Sequence, residues 1–224
     1  MRQSSSHGRR RRPAVRLSVA AALLAGGGGV VALTAPGASA ACSDVEVVSA
    51  RGTFEPGNLG TIVGDRVFSA LERRLTGKNL TSYKVNYPAD LSLTSNSQGN
   101  TDLVNHVKSQ ASSCPTQKFI LVGYSQGANV VDNSIGISSA GATVGGPIVA
   151  TLPNDVEPKV AAVLLFGNPI RAQGKSVTGV YANRTMDLCA QGDPVCERGG
   201  NNTLAHLSYG NNADEAALFA AGKV

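Results

Sequence analysis

Beyond about residue 40, hydrophobic and polar positions alternate between two patterns along the chain. Short apolar runs rich in β-branched residues are typical of buried strands, whereas apolar residues that recur every three or four positions indicate a helix with one buried face. The first pattern predicts strands at residues 45–50, 83–87, 119–122, 160–166 and 177–181.

Helical patterns separate these strands. The predicted helices cover residues 63–75, a segment that finishes before residue 114, residues 126–133 and residues 214–221. Strands that alternate with helices pair in parallel through crossovers, so helices cover both faces of the sheet. We therefore expect an α/β protein of the α/β-hydrolase type, a three-layer sandwich around a central, mainly parallel sheet. The serine- and glycine-rich residues 134–146 are expected to form a surface loop, and no segment is long enough for a large lid.

The first 40 residues have the character of an export signal. A cluster of arginines precedes an apolar run at residues 17–33, and Ala38-Ser39-Ala40 offers a cleavage site, an order typical of a secretory signal peptide. The alternative is a retained membrane helix, but four consecutive glycines interrupt the run and Pro36 closes it. Residues 1–40 are thus predicted to be a signal peptide, with Sec and twin-arginine export both open, and residues 41–224 a single secreted domain.

Charge is unevenly distributed between this leader and the rest of the chain. Six of the 20 lysines and arginines lie before residue 40 and none of the 15 acidic residues do, which leaves 14 basic (20 − 6) and 15 acidic side chains. The basic character of the whole chain therefore belongs to the leader, and a nearly neutral domain is not expected to bind nucleic acid or an anionic membrane. We expect an extracellular monomer without a stable membrane anchor.

The four cysteines favour two disulfides, because an even number in an exported chain is typical of paired thiols. Cys189 and Cys196 flank a short segment that can close a small loop, which leaves Cys42 and Cys114 as the long-range pair. A zinc site is the alternative, but Cys189 and Cys196 are too far apart for a tight ligand pair and few histidines could complete the site. We expect no metal.

The sequence Gly123-Tyr124-Ser125-Gln126-Gly127 follows a predicted strand and begins a predicted helix. A serine on such a sharp turn is held in a strained conformation, and the glycines are needed because larger side chains would collide there. The turn presents its hydroxyl at the carboxyl edge of the sheet, beside helix N-terminal amides that can bind an oxyanion. Ser125 is therefore the candidate nucleophile.

A serine hydroxyl needs a base, which in this architecture follows the nucleophile in the chain. Of the three histidines, His7 lies in the leader and His106 precedes Ser125 on a helix, so His206 is the candidate base. The base in turn needs a carboxylate to orient it.

Four aspartates lie between Ser125 and His206, namely Asp132, Asp155, Asp187 and Asp193. The first lies two turns into the predicted elbow helix and the second in a proline-bounded loop, so neither is well placed after a late strand. We prefer Asp193 because the predicted Cys189–Cys196 disulfide would hold its loop, although the chemistry leaves Asp187 open.

Three segments in this order resemble the cutinase family. They are the nucleophile block that contains Ser125, the segment from Cys189 to Cys196 and the block Ala205-His206-Leu207-Ser208-Tyr209-Gly210. The resemblance implies a triad of Ser125, Asp193 and His206 and supports both disulfides. It also implies an oxyanion hole at Gln126 and Thr53, where Thr53 replaces the serine frequent in fungal relatives.

The substrate is less defined by the resemblance. Between Cys196 and His206 this chain has the polar residues 197–203, where fungal cutinases place aliphatic residues that touch lipid. The remaining apolar candidates, each expected to be ordinary packing, are Leu91, Leu93, Val195, Leu204 and Leu207.

The alanine- and glycine-rich composition resembles that of actinobacterial cutinase-like esterases, which implies a broader or different ester preference. We expect hydrolysis of cutin-type polyester or of short- to medium-chain acyl esters through an acyl-enzyme on Ser125, with lipid, polyester or acylated polysaccharide as the ester substrate and without a cofactor. An acetyl-xylan esterase and a non-catalytic protein that binds the cell wall or another surface are the alternatives.

Overall fold

The computed structural model describes residues 42–224, and the predicted leader lies outside them. Its strands are β1 (Val45–Ala50), β2 (Leu80–Lys84), β3 (Lys118–Tyr124), β4 (Val160–Phe166) and β5 (Thr185–Leu188). Its α-helices are α1 (Gly64–Arg74), α2 (Ser95–Ser113), α3 (Gln126–Ser134), α4 (Thr203–His206) and α5 (Ala213–Ala221). The strands pair in parallel, in the order β2-β1-β3-β4-β5.

Helices cover both faces of this sheet. Successive residues of a strand point to opposite faces, and in β3 Phe119 and Leu121 pack with α2 and α3, whereas Ile120 and Val122 pack with α1 and α5. The three central strands β1, β3 and β4 are buried along almost their whole length. The predicted three-layer α/β sandwich is confirmed.

Two strands lie at other residues than predicted. The second strand ends at Lys84, and Val85 and Tyr87, which suggested a strand at residues 83–87, are buried in the segment that follows it. The predicted strand at residues 177–181 runs into a 3₁₀ turn, Gly179–Arg184, and the last strand is β5. In both cases an apolar residue packs into the core from a loop, so its hydrophobicity reports burial rather than strand conformation.

The long loop between α3 and β4 is pinned to the helices beneath it. The Asn133 side-chain amide donates to Gly146 O at 3.1 Å, and its oxygen accepts from Ser139 N at 2.9 Å. Asn100 Oδ1 accepts from the backbone of Ala150 at 3.0 Å. Residues 135–146 thus form a loop as predicted, while Ser134 ends α3. Buried amides attach this loop to α3 and its continuation at Ala150 to α2.

Both predicted disulfides form. Cys42–Cys114 joins the segment before β1 to the end of α2, and Cys189–Cys196 closes the loop after β5. Between residues 42 and 224, no helix is both long and apolar enough to cross a membrane.

Candidate active site

Ser125 lies on a sharp turn between β3 and α3. Its backbone has φ 54° and ψ −117°, a strained region for a residue with a side chain. Its N–H donates to Phe166 O at 2.9 Å, which ties the turn to β4. A Cβ atom on Gly127 would lie 1.9 Å from Ala50 O, so only glycine allows α3 to start this close to β1. The strand–turn–helix therefore projects Ser125 from the carboxyl edge of the sheet.

Thr53 and Gln126 lie beside this turn. Thr53 Oγ1 donates to Gln126 Oε1 at 3.4 Å, and Gln126 Nε2 donates to Asp90 O at 2.9 Å. Within residues 42–224, the backbone N–H groups of Thr53 and Gln126 have no hydrogen-bond partner. Two free amides on neighbouring segments are the groups that an oxyanion requires.

Glu55 organises the loop that carries Thr53. Its carboxylate is buried and accepts from the backbone N–H groups of Gly52 and Ile62, both at 2.7 Å. Burial raises the pKa of Glu55, although these hydrogen bonds oppose the rise. Nothing in the sequence pattern marks this glutamate, because its partners are backbone groups on the same loop.

Arg51 ties the same loop to the segment after β2. Its guanidinium donates to Tyr87 O at 2.9 Å and to Pro88 O at 3.0 Å, and the Tyr87 hydroxyl donates back to Arg51 O. Phe54 N donates to Ala89 O at 2.7 Å. The loop that carries Thr53 is thus held in place before any substrate binds.

Asp193 and His206 form a hydrogen-bonded pair. His206 Nδ1 lies 2.8 Å from Asp193 Oδ2, and Asp193 is fully buried. Val195 N donates to Asp193 Oδ1 at 2.8 Å, and the Tyr209 hydroxyl donates to Oδ2 at 2.5 Å. The Cys189–Cys196 disulfide encloses this aspartate, and His206 ends the short helix α4.

The His206 imidazole is positioned next to the Ser125 turn. Gly167 has φ +57°, a backbone conformation that favours glycine. A Cβ atom on this residue would also lie 2.8 Å from His206 Cε1, so there is no space for a side chain. The Tyr124 ring lies 5.1 Å from the imidazole, and its hydroxyl donates to His206 O at 2.7 Å. Within residues 42–224 the Ser125 hydroxyl has no hydrogen-bond partner, which is common before a substrate binds.

Asp187, the other aspartate considered for the pair, lies elsewhere. Its Oδ2 accepts from Asn168 Nδ2 at 3.1 Å, and Arg171 lies 3.6 Å from its Oδ1. Burial raises the pKa of Asp187 to about 6, and Arg171 opposes the rise. Asp155 is exposed in its loop, and Asp132 is buried within α3.

His106 belongs to a different cluster. Its Nε2 lies 2.9 Å from Glu46 Oε2, and its ring stacks on Tyr83 at 3.4 Å between centroids. Glu46 lies near the amino end of β1, and Tyr83 lies on the edge strand β2. His106 is therefore a partner of Glu46 and is available as a control for His206.

A group of large apolar side chains is exposed on the segments around Ser125. They are Phe54 (69%), Leu91 (67%), Leu93 (95%), Leu204 (73%) and Leu207 (56%). The expectation that the four leucines are ordinary packing is therefore wrong. Sequence patterns could not show this, because an apolar residue in a loop looks the same whether it is buried or exposed. We call these five residues the apolar rim.

No group of three His, Cys, Asp or Glu side chains that could hold a metal occurs in the described part of the chain. A serine on a strained strand-to-helix turn, with an imidazole next to the turn, is how α/β hydrolases present a nucleophile. Fold and site thus define a serine hydrolase of this class.

The comparison with known proteins specifies the class. The Cutinase family model matches residues 41–224, and the chain belongs to the cutinase family. It is 41% identical over 194 residues to phospholipase Culp4 of Mycobacterium tuberculosis, across 85% of this chain and 83% of the relative. It is 40% identical over 192 residues to a cutinase of Kineococcus radiotolerans, across 83% of this chain and 63% of that protein.

A solved structure agrees with this assignment. The Trichoderma reesei cutinase in complex with a phosphonate inhibitor superposes with a TM-score of 0.64 at 37% identity, across 80% of this chain and 75% of the other. The predicted resemblance is confirmed, and the chain is a carboxylic ester hydrolase of the serine type.

Proposed function

We propose that the chain hydrolyses carboxylic esters through an acyl-enzyme on Ser125, with His206 as the base and Asp193 as its orienting carboxylate. The observation that carries the proposal is the 2.8 Å contact between His206 Nδ1 and the buried Asp193. With a proton held on Nδ1, the lone pair of Nε2 is the basic site of the imidazole.

The reaction proceeds in two steps. His206 Nε2 takes the hydroxyl proton as Ser125 Oγ attacks the ester carbonyl, and the oxyanion accepts hydrogen bonds from the free N–H groups of Thr53 and Gln126. The imidazolium then protonates the leaving alcohol, and the acyl group stays on Ser125. Water repeats the sequence in the second step and releases the acid, so the serine is regenerated without a cofactor.

The apolar rim indicates the substrate class. Five exposed apolar side chains around the serine would each gain about 1.5 to 3 kcal/mol when they are buried against an acyl chain or a lipid surface. This supports apolar acyl esters, presented by lipid or polyester, over acetylated polysaccharide. The names of the relatives, cutinase and phospholipase, are consistent with this class.

The cellular setting belongs to the same proposal. We infer that residues 1–40 are removed and that residues 41–224 act outside the cell as a monomer on ester substrates. Two disulfides support an oxidising compartment.

Matched pairs of variants test the catalytic assignment with p-nitrophenyl butyrate. Ser125→Ala and His206→Gln are expected to lower kcat by about 10⁴-fold or more, and Asp193→Asn by about 10³- to 10⁴-fold, because each removes one member of a cooperating unit. His106→Gln and Asp187→Asn, which change the same residue types outside the unit, should retain kcat within about threefold. Wild-type turnover in Ser125→Ala, or equal losses in the two aspartate variants, would show that the assignment is wrong.

A further inference from the structure

Tyr209 contacts the Asp193–His206 pair at the one oxygen that the imidazole uses. Its hydroxyl lies 2.5 Å from Asp193 Oδ2, which is also the acceptor for His206 Nδ1 at 2.8 Å. Since Ala190 N donates to the Tyr209 oxygen at 2.9 Å, the hydroxyl proton is free to point at the carboxylate. The phenol and the imidazole therefore share one acceptor atom.

The phenol is fixed in this place by packing. Tyr209 is fully buried, and its ring contacts the rings of Phe166, Tyr124 and His206 at centroid distances of 6.0 to 6.1 Å. Burial raises the pKa of the Tyr209 hydroxyl, and the hydrogen bond to Asp193 raises it further. The phenol is consequently a neutral donor at neutral pH.

The hydroxyl is one of several anchors of the aspartate loop, since its oxygen also accepts from Ala190 N. Val195 N already donates to Asp193 Oδ1, the Asp193 backbone bonds to Ala190 O and Glu197 N, and the disulfide closes the loop. Beyond this anchoring the hydroxyl has a chemical effect, because a second donor on Oδ2 withdraws negative charge from the atom that binds the imidazole.

We propose that Tyr209 is a positioning residue that weakens the hold of Asp193 on the imidazolium and so sets the pH range in which His206 works as a base. The role has a reason in the reaction cycle. An imidazolium held too tightly would be slow to give its proton to the leaving alcohol, whereas one held too loosely would not form. This inference rests on the proposed triad.

Other ionisable groups around the pair are few in the described part of the chain. Tyr124 approaches from the end of β3, and burial raises the pKa of its hydroxyl, to which the charges of Glu55 and Asp193 add. Glu197 lies on the aspartate loop and accepts from Gly192 N. Neither of these groups is hydrogen-bonded to the Asp193 carboxylate, so the Tyr209 hydroxyl is the neighbour to change.

Tyr209→Phe keeps the ring and removes the hydroxyl. The acid limb of the pH profile of kcat/KM is expected to move to higher pH by about half a unit to one unit, with a loss in kcat/KM that reaches about three- to tenfold on the acid side of the limb. The proton resonance of the His206 Nδ1–H should move further downfield as its hydrogen bond strengthens. The matched control is Tyr83→Phe, which deletes a phenol–aspartate hydrogen bond of 3.0 Å to Asp102, outside the site, and should leave both readouts unchanged.

The outcomes separate the tuning role from a structural one. A loss of activity with an unmoved acid limb and an unmoved resonance would overturn the proposal, because loosened packing alone lowers kcat without changing the titration. If Tyr209→Phe does not fold, site-specific 3-fluorotyrosine at position 209 supplies a stronger donor, and the limb should then move to lower pH; no movement overturns the proposal.

The serine variant separates failure of this inference from failure of the triad. Turnover retained in Ser125→Ala would overturn the proposed function and this role together. An inactive Ser125→Ala with a wild-type pH profile in Tyr209→Phe would overturn only the role of Tyr209.

Discussion

Asp132 is a buried carboxyl group without a partner. It lies in α3, fully buried, and neither carboxylate oxygen has a hydrogen-bond partner in the described part of the chain. Burial raises the pKa of Asp132 well above its ordinary value and the charge of Asp187 raises it further, while the nearby Asn168 amide opposes the rise. The proposed reaction does not use this group, so its effect falls on stability.

Because the folded-state pKa of Asp132 is raised, binding of a proton to Asp132 stabilises the folded state. This contribution is fully present below the unfolded-state pKa and is lost as pH rises through the folded-state pKa. Asp132→Asn replaces the carboxyl with an uncharged group of the same shape. We expect the variant to be more stable than wild type by roughly 1 to 3 kcal/mol at pH 8, with the difference disappearing near pH 4. Urea unfolding across this pH range measures it.

The control for this prediction is Asp155→Asn, which removes an exposed carboxylate. Its unfolding free energy should follow that of wild type at every pH. A constant offset between Asp132→Asn and wild type from pH 4 to pH 8 would contradict the prediction, since the effect must come from ionisation.

The residues of the site differ in how far the sequence could indicate them. Ser125 has a motif in a recognisable local context, and His206 follows by elimination because so few histidines exist. Tyr209 and Glu55 have no such signal, because each acts through one contact that depends on the folded geometry. Asp193 is intermediate, since the two flanking cysteines marked its loop but could not exclude Asp187.

At the scale of elements, the buried centre of the sheet was predictable and its edges were not. Strands β1, β3 and β4 are covered on both faces, so they appear as continuous apolar runs. The edge strands β2 and β5 have mixed burial and contain polar residues such as Asp187. Buried loop residues next to them, Val85 and Tyr181, therefore produced stronger signals than the strands themselves.

The two disulfides constrain elements of very different size. Cys42–Cys114 spans 72 residues and Cys189–Cys196 spans 7. Chain entropy alone gives about 4 kcal/mol of stability for the first and about 2 kcal/mol for the second. Only the second encloses Asp193. We therefore expect loss of the first bond to lower stability more and loss of the second to lower activity more.

Double alanine variants of each pair separate these effects. Cys42→Ala/Cys114→Ala should lose about 4 kcal/mol in unfolding free energy and keep kcat in the folded fraction. Cys189→Ala/Cys196→Ala should lose only about 2 kcal/mol, yet kcat should fall by about tenfold or more because Asp193 loses its clamp. Denaturant unfolding measures the stability of each variant, and turnover is measured at a temperature where both double variants are folded. Each double variant is the control for the other. Equal losses of kcat would contradict the prediction.

For the molecule as a whole, the parallel sheet explains how distant segments form one site. The carboxyl ends of parallel strands lie at one edge, so the loops after β1, β2, β3 and β5 bring Thr53, Asp90, Ser125 and Asp193 together. The same loops carry Phe54, Leu91 and Leu93 of the apolar rim. The long loop at residues 135–156 is held against α2 and α3 by hydrogen bonds. Ser125, the proposed nucleophile, and an exposed apolar surface therefore share one edge of the protein.

This arrangement predicts that the apolar rim serves insoluble substrates in particular. Leu91→Ser/Leu93→Ser removes two of its five side chains, including the most exposed, Leu93. Adsorption to a polyester film or to tributyrin droplets should therefore weaken by about 3 to 5 kcal/mol, and hydrolysis there should fall at least tenfold. Turnover of soluble p-nitrophenyl acetate should stay within about twofold, because the catalytic groups are unchanged. Leu218→Ser is the matched control, since Leu218 is 65% exposed on α5, away from the rim. If Leu218→Ser impaired film hydrolysis as strongly as the rim variant, general surface hydrophobicity rather than the rim would govern adsorption.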